Sequence, residues 1–173
     1  VKAGKLIQLR RGLYALAEPY RKTNPHPFLL ANRMKKASYV SLQSALAYHG
    51  LIPEHVPVVT SVTTGRPEQL RTELGGFTFR HIKKAVFKGF QKIEVATGQF
   101  AFIASPEKAL ADLLYLTPGS EKEAYLVELR LQNLDKTDQS ELLKTSQEFK
   151  SLKLLRAVKK IIRLTHAEKH EEL

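Results

Sequence analysis

Residues 2–17 read as two short strands in which apolar and basic side chains mix, joined by a basic turn around Arg10, Arg11 and Gly12. Gly12 stands where a tight connection between antiparallel strands demands a positive φ, which glycine adopts without steric cost. The stretch 2–17 is therefore predicted to be a β-hairpin with a cationic turn, Leu6, Leu9, Leu13 and Leu16 alternating with Lys5, Arg10 and Arg11. This feature constrains the rest. A ribbon of that length is not stable alone in water and must lean on a body built by the remaining chain.

That body has enough material. The chain has 173 residues, 43% of them hydrophobic, which suits one domain or one domain plus a fragment of another. No run reaches the roughly 18 apolar residues of a membrane span, and no hydrophobic leader is recognisable, so no membrane partner is expected. The absence of cysteine excludes disulfides and thiolate metal sites and fits a cytoplasmic protein. Twenty-eight basic against 17 acidic side chains give a net charge of +11, a balance that favours an anionic partner, nucleic acid foremost. The charge is also segregated. Residues 1–36 hold nine basic side chains and one acid, residues 109–148 hold four and eight, and residues 149–173 hold seven and three.

Three prolines, Pro19, Pro25 and Pro27, make 19–27 a loop or linker and the natural boundary between the hairpin unit, 1–18, and a larger domain, 28–173. In that domain helices are predicted over 28–36 and 41–49, the second with Ser41 as N-cap, Leu42, Ala45, Leu46 and His49 as its buried stripe, and Gly50 closing it. Residues 56–62 read as a β-branched strand. Two hairpins follow, one turning on Gly75-Gly76 with Phe77 and Phe79 on its apolar face, one turning on Thr97-Gly98 between 90–96 and 99–103. Ser105 and Pro106 are N-cap and N1 of a helix ending at Pro118-Gly119. Helices over 121–133, 138–149 and 151–167 complete the chain. The expected class is α+β: a small mixed or antiparallel sheet in 28–116 and a helical part in 120–168.

With these segments in view the chain resembles the AbiEi-type antitoxins, transcriptional regulators of type IV toxin–antitoxin (abortive infection, phage defence) systems. The resemblance rests on Leu6-Ile-Gln-Leu-Arg-Arg-Gly-Leu-Tyr-Ala15, Ser38-Tyr-Val-Ser-Leu-Gln-Ser-Ala-Leu-Ala-Tyr-His-Gly-Leu-Ile-Pro-Glu54, Thr63-Thr-Gly-Arg66, Gly76-Phe-Thr-Phe-Arg-His81 and Ile103-Ala-Ser-Pro-Glu-Lys-Ala-Leu-Ala-Asp112. It spans roughly residues 4–116 with order and spacing kept. It implies that the hairpin is the wing of a winged helix-turn-helix and that 28–173 is an antitoxin domain. It further implies a protein that represses its own operon by binding operator DNA. Such a protein counteracts a nucleotidyltransferase toxin encoded beside it, without a stable complex between the two. The helices expected before a wing are not part of the sequence, so the hairpin is read as the remnant of an incomplete module.

On that reading Lys5, Arg10 and Arg11 contact DNA phosphates, positioning the wing without reading bases. Lys153, Arg156, Lys160 and Arg163 form a second basic ladder along one face of the last helix, open equally to a nucleic-acid role or to simple solvation opposite a core stripe. Other chemistry-bearing residues are expected to be structural: Tyr39, Ser41, Ser44, Tyr48 and His49 as a buried, backbone-satisfied cluster, and Thr63-Thr-Gly-Arg66 as a turn with Arg66 paired to an acid. Ser105, Lys108 and Asp112 are read as helix-start residues, not as a catalytic set. His166 and His170, four apart, lack a third metal ligand. No cofactor or metal is expected, and the protein is expected not to be an enzyme. The alternatives are a metal-dependent nuclease-like enzyme and an RNA- or protein-interaction module.

Overall fold

The computed structural model describes residues 3–171, with side chains through 166. The predicted hairpin forms from β1 (Leu6–Arg10) and β2 (Leu13–Leu16), antiparallel, with a bulge between Gln8 and Arg10 and Gly12 at φ 80°. Lys2 of the predicted ribbon and the side chain of His170 lie outside the described residues. After the proline-rich loop come α1 (Pro27–Met34), β3 (Ser38–Val40), α2 (Leu42–Tyr48), β4 (Val58–Thr63), β5 (Glu68–Thr72), β6 (Gly75–His81), β7 (Phe90–Ala96) and β8 (Gln99–Ala104). The helices α3 (Pro106–Leu116), α4 (Glu123–Glu128), α5 (Gln139–Glu148) and α6 (Leu152–Glu171) close the chain.

Strands β3–β8 make one mixed sheet in the order β5-β6-β4-β3-β8-β7, while β1 and β2 stand apart as a two-stranded sheet. Pairing is parallel between β4 and β6 and between β3 and β8, and antiparallel elsewhere. The fold is thus α+β, with a helical C-terminus. The central strand β3 is only three residues long and was not assigned from sequence, because Ser-Tyr-Val is too short to show a period. Its parallel pairing with β8 is confined to Val40 and Ile103. Lower on β8, where β3 no longer reaches, Asn32 of α1 accepts the Phe102 amide instead at 2.6 Å. A side chain thereby completes the strand's hydrogen bonding.

Helix α3 is the hub. Ala109, Leu110, Ala111, Leu113 and Leu114 are all buried, as expected of a helix apolar nearly all round, and α2, α5 and α6 pack on it. Ser105 accepts the Lys108 amide at 3.1 Å and Pro106 takes the first position, as the sequence predicts. Helix α6 buries Leu154, Val158, Ile161 and Thr165 in one stripe, with Leu155 and Ile162 half-buried at its sides.

Three boundaries differ. The β5–β6 hairpin turns on Glu73-Leu74, since Thr72 pairs with Gly75, so both glycines belong to the strand. Gly76 packs closely there: a Cβ would meet the Val58 side chain at 3.3 Å. The helix expected over 121–133 shortens to α4, and Asn133 takes a left-handed φ of 55° and donates to the Gly50 carbonyl at 2.8 Å. Ser41 occupies the N-cap position of α2 without capping it. Thr60 serves instead, accepting from the Ser44 amide at 3.0 Å and donating to the Ser41 carbonyl at 2.9 Å.

Candidate nucleic-acid interface

The hairpin is not free of the body. Leu9 is buried, and Ile7, Leu13 and Ala15 pack against the core. Arg10 at its tip donates to the Met34 carbonyl at the end of α1 and lies 3.7 Å from Glu68, which also pairs with Lys35 at 3.0 Å. Arg10, a predicted phosphate contact, is thus engaged within the protein, where it fixes the ribbon through a pairing across 58 residues that no local pattern announces. Arg11, the next residue, is exposed with no hydrogen-bond or ion-pair partner among the described residues. Lys5 is exposed too, 5.6 Å from the centre of the Tyr20 ring, but it lies at the base of the ribbon. With five residues between them, Lys5 and Arg11 stand about 20 Å apart along the ribbon and do not form a cluster.

The ladder on α6 divides in the same way. Lys153 donates to the carbonyls of Tyr115 at 2.9 Å and Thr117 at 2.8 Å, satisfying the C-terminal end of α3, and burial holds its pKa below the usual lysine range. Lys160 donates to the Glu121 carbonyl at 2.6 Å. Both predicted phosphate contacts are thus engaged by the main chain. Arg156 and Arg163 remain exposed and unpartnered among the described residues.

A basic groove not singled out from sequence lies between α1 and the β7–β8 hairpin, with a volume of about 480 Å³. Arg33 of α1, Lys36 just after that helix, Lys92 of β7, and Phe100 and Phe102 of β8 line it. The alternation Phe100, Ala101, Phe102, Ile103 was legible as a strand, but its phase was not. Ala101 and Ile103 face the core, leaving both phenylalanines 42% exposed.

The most tightly organised polar group is buried. Asp112, wholly inaccessible, accepts from the Tyr39 hydroxyl at 2.9 Å, from the Ser41 hydroxyl at 2.8 Å and from the Lys108 ammonium, itself 2% exposed. Desolvation pulls the Lys108 pKa down and pushes that of Asp112 up, opposed by their mutual attraction. Tyr39 is raised by burial first and by the Asp112 charge second. The Lys108 ammonium also lies 4.5 Å from the Phe149 ring centre, and a Cβ on Gly89 would come within 2.9 Å of its side chain. All four side chains are buried. The cluster ties α3 to β3 and to the start of α2, where Leu42 is held at a φ of 56°. Tyr39 and Ser41 are thus satisfied by a carboxylate and not by backbone, whereas His49 does bond backbone, 2.8 Å from the Ala104 carbonyl.

In the turn 63–66, Thr63 accepts the Gly65 amide at 3.0 Å and Lys35 donates to the Arg66 carbonyl at 2.9 Å, a structural turn as expected. Arg66 itself has no acidic partner among the described residues. Among the described residues no group of three His, Asp or Glu side chains is placed to hold a metal ion, and no helix is long and apolar enough to cross a membrane. Comparison of the chain with family models and with curated proteins gives no match.

Proposed function

We propose that this chain is the antitoxin-type regulatory part of a cytoplasmic, non-enzymatic protein that binds duplex DNA through its β1–β2 wing and counteracts a nucleotidyltransferase toxin. The observation that carries the DNA-binding part is the division of labour in the arginine pair. Arg10 anchors the ribbon on α1 and β5, and Arg11 is presented from that rigid mount to solvent. The anchored ribbon fixes where the Arg11 backbone lies, and its guanidinium, engaged by no group of the described residues, is available to a phosphate. The outer face of the ribbon supports the same reading. Tyr14 and Leu16 are each 48% exposed, apolar surface of the kind a wing presents to the helices of its own module. The +11 net charge supplies the attractive field.

The antitoxin part rests on the resemblance of the five sequence stretches. Its test is co-expression with the nucleotidyltransferase encoded beside the gene. Growth restored by this chain supports the reading. Unrelieved toxicity at matched expression of soluble protein contradicts it.

A further inference from the structure

The groove between α1 and the β7–β8 hairpin has the features of a stacking platform, and this inference stands on residues separate from the wing. Phe100 and Phe102 occupy alternate positions of β8, so their rings leave the same face about 7 Å apart. Neither ring is loose. Phe90 packs edge-on against Phe102 at 5.8 Å, and the Lys92 ammonium sits 5.0 Å from the Phe100 ring centre. The strand beneath is fixed by Asn32 at the Phe102 amide, and Gln99 holds the preceding loop through the His26 amide at 2.6 Å and the Asn24 carbonyl at 3.0 Å. Two rigid, adjacent, half-exposed aromatic faces are not needed by the core, which Ala101 and Ile103 already serve.

The charge around them selects the occupant. Arg33, Lys36 and Lys92 line the groove and no carboxylate does. Glu94, across the strand pair from Phe100, turns its carboxylate to the Gly98 amide at 2.8 Å. Flat apolar faces interleaved with cations match a chain of bases joined by phosphates, where stacking tolerates any base and the backbone follows the cations. Duplex does not fit, because its bases are already stacked on each other. We propose that this groove binds single-stranded nucleic acid, two successive bases stacking on Phe100 and Phe102 while the backbone runs along Arg33, Lys36 and Lys92.

The test uses the full chain and two fluorescent probes of about 12 nucleotides, oligouridylate and oligodeoxythymidylate, titrated by anisotropy at about 50 mM salt. Phe100→Ala and Phe102→Ala are each expected to weaken binding by about 5- to 150-fold, the range of one lost base stack. Lys92→Ala is expected to flatten the salt dependence, and Arg11→Ala to leave single-strand binding unchanged. Phe100→Leu and Phe102→Leu keep apolar volume, so their loss of affinity with unchanged thermal melting separates stacking from misfolding. Binding of both probes, or of the RNA probe alone through its 2′-hydroxyls, supports the proposal. No binding of either probe, wild-type affinity in the leucine variants, or equal competition by polyglutamate overturns it. Duplex binding unaltered in Arg11→Ala, with single-strand binding weakened in the leucine variants, overturns the wing reading alone; duplex binding weakened in Arg11→Ala, with wild-type single-strand affinity in the leucine variants, overturns the groove alone.

Discussion

Asp112→Ala removes the acceptor of three donors at once from a site buried away from solvent. The Lys108 ammonium would stay buried without a counter-charge, which costs about 3–5 kcal/mol in other proteins. The Tyr39 and Ser41 hydroxyls would lose their partner at about 1 kcal/mol or more each, less whatever they recover by turning to other acceptors. Relief of Lys108 by deprotonation trims the total, leaving an expected loss of about 4 kcal/mol. Against a whole-domain stability of about 5–15 kcal/mol this is severe, and at this chain length it lowers Tm by about 10–15 °C. Urea unfolding followed by far-ultraviolet circular dichroism measures it. The stronger statement is the coupling. Lys108→Met with Asp112→Leu removes both charges while filling the space, so the double variant is expected to be more stable than Asp112→Leu alone, and the cycle through the singles Lys108→Met and Asp112→Leu is expected to give an interaction energy above about 2 kcal/mol. A single-variant cost below about 1 kcal/mol, or a double variant whose losses simply add, would refute the claim that a buried ion pair braces α3 against β3 and α2.

His26 caps α1 by accepting the Phe28 amide on Nδ1 at 3.1 Å, and desolvation lowers its pKa below the ordinary 6.5. Its folded value lies below its unfolded one, so its contribution is complete above pH 6.5 and fades as the pH falls through the folded value. Titration by NMR is expected to show a midpoint below 6.5 together with a local change at the Phe28 amide; a midpoint above 6.5 contradicts the cap. Lys153→Met should lower stability by about 1–2 kcal/mol by orphaning two carbonyls, without altering the salt dependence of nucleic-acid binding. Arg156→Ala should leave stability within about 0.5 kcal/mol. Equal losses of stability in the two variants would show that the division along α6 is wrong.

Local chemistry was legible wherever a feature carried its own punctuation. Thr97-Gly98 placed both strands of the last hairpin, Ser105-Pro106 placed the start of α3, and the 3.6-residue stripe identified the buried face of α6. What escaped was non-local. Whether an arginine is solvated or tied to a glutamate 58 positions on depends on which strands become neighbours, and Arg10 and Arg11 look alike until β5 is placed. Lys153 and Lys160 have the spacing of a phosphate ladder because they also have the spacing of one helix face, here turned toward the carbonyls of 115–121. The groove was missed for a simpler reason. A strand alternating phenylalanine with alanine and isoleucine is expected to bury the larger rings, and this one buries the smaller side chains.

The salt dependence of duplex DNA binding isolates what Arg11 does. The logarithm of the observed affinity against the logarithm of salt concentration gives a slope that counts phosphate contacts, and each one removed reduces it by about one unit. For Arg11→Ala the slope is expected to fall by about one, by the same amount on unrelated duplex sequences, with thermal stability unchanged. An unaltered slope in a folded Arg11→Ala variant would contradict the assignment of the β1–β2 ribbon to DNA.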